Sequence, residues 1–376
     1  MRIAIIAPPW VAIPPAGYGG TEAVLDTLAR GLAAAGHEVL LFTTGDSTCP
    51  VPRAWEFDQA LGVGVGGAAA ELRHTIAAYE TVAGYDIVHD HTLVGPVYAH
   101  VRPELAVVTT NHGPFESDLG RLYRMVSDRV PVIAISHDQA SSAEGVQLAG
   151  VIHHGLDVDA FPFGEGRGGY ALFLGRMSPD KGVHTAIRVA RAAGMPLRIA
   201  AKMAEIAEQE YFAGVVEPLL GGDVEYIGEV GGQDKLDLLA NASCLLNPLA
   251  WREPFGMVMA EAAACGTPVV ATACGAAPEV VIAGITGFLG RSEQELVAAV
   301  GRLDEIDRKV CRRVAEARFS AKRMVAEHLA VYQAVAEGWR PAPEQSAPRG
   351  TTASPAAARA DLGPPPVVSL VERADV

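Results

Sequence analysis

The 376-residue sequence predicts an α/β protein made of two Rossmann-like domains, and three observations predict it. Short β-branched runs alternate with helical patterns, the rhythm of parallel sheets with crossover helices. The length exceeds what a single hydrophobic core usually supports. Finally, Phe161–Gly169 (Phe-Pro-Phe-Gly-Glu-Gly-Arg-Gly-Gly) raises the Gly and Pro content abruptly, and the rhythm restarts behind it.

In chain order, the first domain opens with a strand at Arg2–Ala7, a helix at Thr21–Ala35 and a strand at Glu38–Thr43. Ile87–His89, Ala106–Thr110 and Val132–Ile135 are short apolar runs bounded by polar residues, as expected of strands covered on both faces. Beyond the linker come strands at Tyr170–Leu174, Leu197–Ala201, Val224–Ile227, Ser243–Asn247 and Pro268–Thr272. Helices at Val183–Ala193, Gln233–Ala240 and Gly256–Ala264 separate them. The domains are therefore placed at 1–163 and 164–320, followed by a helix within 321–338 that periodicity alone cannot place. Residues 341–376 are rich in Pro, Ala and Ser without sustained periodicity and are expected to be disordered.

Composition limits the function classes. Hydrophobic residues make up 49% and charged residues 20%, which suits a globular protein. The formal charge of −14 opposes a nucleic-acid partner and docking to an anionic bilayer. Five scattered cysteines without a Cys-x-x-Cys pair suggest neither a disulfide framework nor a zinc site, and prolines from Pro8 interrupt any signal-like apolar run. A cytoplasmic location is the expectation.

The strongest chemical signal is Trp251-Arg252-Glu253-Pro254-Phe255-Gly256-Met257-Val258-Met259-Ala260-Glu261, where a strand end meets a helix start. Pro254 blocks helix upstream, so Glu253 lies in the loop at the sheet's carboxyl edge, where ligands bind in open α/β sheets. Glu261 lies more than a turn into the helix, so the carboxylates cannot act as one catalytic pair. Each can instead accept hydroxyl hydrogen bonds from a different part of a long polyhydroxylated ligand. Gly256 and Met257 offer backbone N–H groups at the helix start. Glu261 is the one ionisable residue on an otherwise apolar helix, where an unpaired carboxylate is costly, and that favours a functional role.

A second signal, Leu174-Gly175-Arg176-Met177-Ser178-Pro179-Asp180-Lys181-Gly182, presents two cations at a strand's carboxyl end. Fixed Arg and Lys groups can stabilise charge on a departing diphosphate without a metal ion. A third, Gly17-Tyr18-Gly19-Gly20-Thr21-Glu22, resembles a phosphate-binding turn, yet Glu22 stands where a dinucleotide fingerprint needs its last glycine, so NAD is disfavoured. Gly19 and Gly20 instead let main chain approach a ligand closely. Among the histidines, His89 and His91 make a weak metal argument, Asp157-x-Asp159 reads as loop chemistry, and His112 at a strand end suits a sugar hydroxyl or phosphate.

Together these residues resemble the retaining glycosyltransferases of family 4 over most of residues 1–338. The resemblance is most specific in the Glu-x7-Glu pattern of Glu253 and Glu261, followed by Cys265-Gly266-Thr267-Pro268-Val269-Val270 and Pro278-Glu279-Val280-Val281. It implies the GT-B fold, with the two domains facing across a ligand cleft, the first the acceptor domain, the second the nucleotide-sugar donor domain, and the final helix crossing back onto the first. It also implies catalytic roles for Glu253, His112, Arg176 and Lys181. Donor contacts are implied for Gly19, Gly20, Arg176, Lys181, Glu253, Phe255, Gly256, Met257 and Glu261, with Arg176 and Lys181 on the diphosphate, Glu253 and His112 at the sugar and Glu261 at the ribose. Front-face displacement of a hexose, without a metal or other cofactor, is the implied reaction. A UDP-sugar is preferred and GDP-mannose is compatible. The acceptor hydroxyl is open, because Pro50–Ala83 and Phe115–Arg129 match no family pattern; Phe115–Arg129 lacks the basic face of a bilayer-docking helix, which favours a soluble or small amphiphilic acceptor. A sugar-nucleotide epimerase on the same fold and a non-catalytic sugar-nucleotide binding protein stand as alternatives.

Overall fold

The structure is a computed structural model that describes residues 1–62, 67–116 and 118–339. The tail expected to be disordered, 341–376, lies outside the described residues.

The first half runs β1 (Arg2–Ile6), α1 (Gly20–Ala34), β2 (Glu38–Thr43), β3 (Arg53–Trp55), α2 (Ala68–Thr81), β4 (Ile87–Asp90), α3 (Gly95–Tyr98), β5 (Val107–Thr110), α4 (Asp118–Val126), β6 (Val132–Ala134), α5 (His137–Ser141) and β7 (Leu148–Val151). The second runs β8 (Ala171–Arg176), α6 (Val183–Ala192), β9 (Leu197–Lys202), α7 (Ile206–Tyr211), β10 (Val224–Gly228), α8 (Gly232–Asn241), β11 (Cys244–Asn247), α9 (Met257–Ala264), β12 (Val269–Thr272), α10 (Ala277–Val280), β13 (Gly287–Gly290), α11 (Glu293–Val300), α12 (Arg308–Phe319) and α13 (Ala321–Ala336).

Among the described residues the strands form two parallel sheets, ordered β3-β2-β1-β4-β5-β6-β7 and β10-β9-β8-β11-β12-β13. The central strands are buried on both faces; β1 from Ile3 onward, β4, β5 and β11 carry no exposed residue. That is why they read as short runs opening on apolar residues, without the polar alternation of a half-exposed strand. The order reverses between β1 and β4 in one sheet and between β8 and β11 in the other. Loops leaving these strands diverge at the carboxyl edge and open a crevice there.

Helix α13 packs on α1, β4 and β5, and its Met324, Val325, Tyr332 and Val335 join the core built by Ile3, Leu25 and Leu28. Three strands have no counterpart in the sequence pattern. β3 and β7 are the two edges of the first sheet, only partly buried, and β13 is bracketed by Gly287 and Gly290, which read as turn residues. The five cysteines are free thiols. No helix among the described residues is long and apolar enough to cross a membrane.

Candidate functional site

The chemistry gathers where the two switch points meet. Arg176 ends β8, and the chain then makes a single 3-10 turn at Pro179–Lys181 before α6. Arg176 Nη2 donates to Asp180 at 3.2 Å, which fixes the guanidinium along the loop. Lys181 forms an ion pair with Glu253 from the loop after β11, and both side chains are about nine-tenths buried. Trp251 Nε1 donates to the same Glu253 oxygen at 2.9 Å, while the Lys181 ammonium lies 5.0 Å from the centre of the Trp251 ring. Glu253 is thus oriented by an indole N–H and an ammonium, both from groups packed against one another. Gly256 adopts φ 84° as the residue capping α9, a left-handed conformation that a side chain would strain; a Cβ there would also sit 2.4 Å from Met259 Cε.

Glu261 is 5% exposed on α9, but it is not an unpaired carboxylate as the sequence pattern had it. Lys235 of α8 reaches across to Glu261 Oε1 at 2.8 Å. The burial that made Glu261 conspicuous is compensated by a cation 26 positions upstream on a different helix, which no local spacing reveals. Lys235 also lines the cleft, so the carboxylate is held by an ammonium at the edge of the ligand space.

From the first domain, the loop after β1 comes down over this surface. Tyr18 donates its backbone N–H to Glu229 Oε1 at 2.7 Å, so this loop is tied to the end of β10. Gly17 permits that approach: a Cβ there would lie 2.3 Å from the same oxygen. Gly19 caps α1 and is crowded by Pro15, where a Cβ would meet Pro15 Cβ at 2.6 Å, whereas Gly20 has open space with Met257 Cγ 3.8 Å away. The two glycines therefore differ: Gly19 is needed by its own loop, and Gly20 leaves room in the cleft.

His112, after β5, shares a 2.9 Å hydrogen bond with His91 Nδ1 and stacks on His154 at 5.3 Å. Behind them His89 bonds Tyr332 at 2.7 Å and Thr110 at 2.8 Å, and His328 Nδ1 contacts the Met324 carbonyl at 2.8 Å. Burial depresses every one of these imidazoles, His112 and His328 to about 4 and His89, His91 and His154 well below the ordinary value, with mutual repulsion adding to it. The floor of the first domain is a neutral histidine cluster. Phe255 behaves differently from a surface contact: it is 2% exposed and packs on His154 and Phe319, so its ring mainly supports the site from below.

Arg176, Lys181, Glu253, Glu261, Gly19, Gly20, His112, Phe255, Gly256 and Met257 all border one cavity of about 1360 Å³ between the two sheets. Tyr18, Lys202, Glu229 and Lys235 border it as well and went unread in the sequence. The Asp157-x-Asp159 pair is dispersed: Asp157 faces Arg30 at 3.5 Å and Asp159 faces Arg312 at 3.8 Å. His89 and His91 lie with ring centres 3.9 Å apart and planes tilted by 44°, but both nitrogens of His89 already contact hydroxyls.

The family model for glycosyltransferase family 4 matches residues 18–160, and that for glycosyl transferases group 1 matches residues 168–305. The two matches flank the interdomain linker and between them take in Gly19, Gly20, His112, Arg176, Lys181, Glu253 and Glu261. The chain belongs to the family 4 glycosyltransferases and has the GT-B fold. It is 28% identical to a glycogen synthase of Mycobacterium tuberculosis, over 76% of this chain and 81% of that one. The crystal structure of AviGT4, a glycosyltransferase involved in avilamycin A biosynthesis, superposes with a TM-score of 0.69 and 27% identity, covering 91% of this chain and 100% of that one. The Anabaena protein HepE, solved in complex with UDP-glucose, shares the fold with a TM-score of 0.69 and 22% identity over 88% of this chain and 99% of HepE.

For a glycosyltransferase, the division of labour in this cleft is chemically coherent. The second domain supplies Arg176, Lys181, Glu253 and Glu261, while the first supplies main chain at Gly19–Gly20 and a neutral imidazole at His112. Membership of a transferase family displaces the epimerase and binding-only readings.

Proposed function

We propose that this glycosyltransferase moves a hexose from a nucleoside diphosphate sugar, preferably a UDP-sugar, to an acceptor hydroxyl with retention of anomeric configuration and without a metal ion. The observation that carries the reading is the convergence of Arg176 and Lys181 with Glu253 and Glu261 on one cleft of about 1360 Å³. In the resting site Lys181 neutralises Glu253. Arrival of a diphosphate gives Lys181 a second anion beside Arg176 and leaves Glu253 able to accept a sugar hydroxyl. Glu261, steadied by Lys235, suits the ribose hydroxyls.

In the reaction the bond from the anomeric carbon to the phosphate oxygen breaks, and its electron pair stays on the diphosphate. The acceptor oxygen attaches to the same face of the sugar, and its proton passes to the departing phosphate oxygen. Arg176 and Lys181 stabilise the charge that develops there, and the neutral His112 offers a hydrogen bond without competing for the phosphate. No side chain serves as nucleophile. The HepE complex with UDP-glucose supports a nucleoside diphosphate sugar as donor.

Incubation of the protein with UDP-glucose and simple acceptor alcohols, followed by proton NMR of the product, tests this reading. An α-linked product from an α-linked donor, formed in the presence of a chelator, is expected. A β-linked product would overturn retention, and strict dependence on an added divalent ion would overturn the metal-free mechanism.

A further inference from the structure

Away from the cleft, at the seam between the domains, His137 and His153 of the first domain meet Glu279 of the second. Their ligand-type atoms all lie within 4.8 Å of one another, and among the described residues this is the one cluster of His, Cys or carboxylate groups so arranged. We propose that His137, His153 and Glu279 form a divalent-metal site of zinc type that bridges the two domains.

The donor set suits the ion: two imidazoles and one carboxylate leave a fourth position for water, a common arrangement at open zinc sites. Glu279 is already held as a ligand needs to be, because its Oε2 accepts the backbone N–H of His137 at 2.8 Å and its Oε1 that of Asp138 at 2.6 Å. Carboxylates that bind metals are typically oriented by such outer hydrogen bonds. His153 Nε2 stands 2.8 Å from Glu279 Oε2. Bonds of about 2.0–2.1 Å to a tetrahedral ion place ligand atoms about 3.3 Å apart, so this pair needs to open only slightly to admit one. His137 is exposed, and its ring meets that of His153 edge-on with centres 5.8 Å apart.

Because each domain supplies ligands, the ion would tie the domains together. His153 also packs against Phe255, with ring centres 5.7 Å apart, so the tie would lie directly behind the Glu253–Gly256 loop.

The test is isothermal titration of the chelator-treated full chain with ZnCl2, for wild type, His137→Ala, His153→Gln and Glu279→Gln. One equivalent of Zn2+ per chain is expected in the wild type, with affinity reduced about tenfold or more in each variant. His137→Ala keeps the backbone N–H that Glu279 accepts and removes only an exposed ring, so it separates loss of a ligand from loss of folding. Wild-type protein that takes up no Zn2+, or a His137→Ala variant that titrates like wild type, would overturn the proposal. Both readouts are independent of sugar transfer.

Discussion

The two domains face the same cleft with opposite chemistry. The second presents ion pairs, Lys181 with Glu253 and Lys235 with Glu261, each nearly buried yet open to the ligand. The first presents glycine backbone and the neutral imidazoles of His112 and His154, backed by three more neutral histidines, together with Arg30 held between Asp26 at 2.8 Å and Asp157 at 3.5 Å. The cations and carboxylates of the second domain thus gather where a diphosphate would sit, while His112 and the Gly19–Gly20 main chain opposite them supply hydrogen bonds without fixed charge. The difference teaches that the two walls should fail differently: damage to the second domain removes chemistry, and damage to the first alters positioning and pH tolerance.

The largest effect is expected at the charged wall. Lys181→Met, or Glu253→Gln, should lower kcat by about 10²–10³-fold, the usual consequence of losing a preorganised charge-stabilising group, while circular dichroism shows an unchanged fold. Next comes the pair at α8 and α9. Glu261→Gln should raise the donor KM about tenfold with a smaller change in kcat, since hydrogen bonds to a charged group are worth roughly 1.5–3 kcal/mol. Lys235→Met should move the donor KM in the same direction. Equal losses in kcat for all four variants would erase the distinction drawn between diphosphate and ribose contacts.

The histidine floor makes a prediction about stability. His112 and His328 fall to about 4 in the folded protein, below the ordinary imidazole value near 6.5, so between those pH values the unfolded chain binds more protons. Their contribution is fully present above about pH 6.5 and is lost as pH falls toward 4. Asp90, raised by burial to about 7, acts in the opposite sense, as do Glu22 and Glu71, which burial also raises, so three carboxylates stand against the five histidines. The melting temperature should therefore drop steeply between pH 6.5 and 4, and His328→Asn should flatten that slope. A flat profile in the wild type would contradict a neutral cluster.

The smallest effects belong to the contacts between the walls. Arg252 is about half exposed and pairs with Asp138 at 2.8 Å and Glu116 at 3.0 Å across the domain seam. Arg252→Ala should change kcat/KM by no more than about fivefold, because exposed pairs are worth at most about 1 kcal/mol. Gly17→Ala would press on Glu229 and break its hydrogen bond to Tyr18, and Glu229→Ala in the same chain should restore part of the loss.

The contrast between the walls also explains what was legible in the sequence. The fold class was legible because both sheets are covered on each face, which writes short apolar runs at regular intervals; the edge strands β3 and β7 lack that coverage and left no such mark. Glu253, Glu261, Arg176 and Lys181 were legible because each sits in a compact motif at a strand end or helix start. Lys235 and Glu229 were not, because their roles depend on residues 26 and 211 positions away. Two partly buried arginines were equally silent. Arg308 donates to the carbonyls of Gly164, Ala242 and Ala240, and Arg312 to those of Phe161 and Ala264, so both staple the linker to the second domain while looking like surface residues of a polar helix.

The measurement that tests the central claim most directly is isothermal titration of UDP into wild-type protein, Lys181→Ala and Glu261→Ala, with GDP and ADP alongside. One site per chain in the wild type, tightest for UDP and weakened in both variants, is the expected result. Wild-type protein that binds no nucleoside diphosphate, or variants that bind as tightly as wild type, would contradict the assignment of this cleft as the donor site.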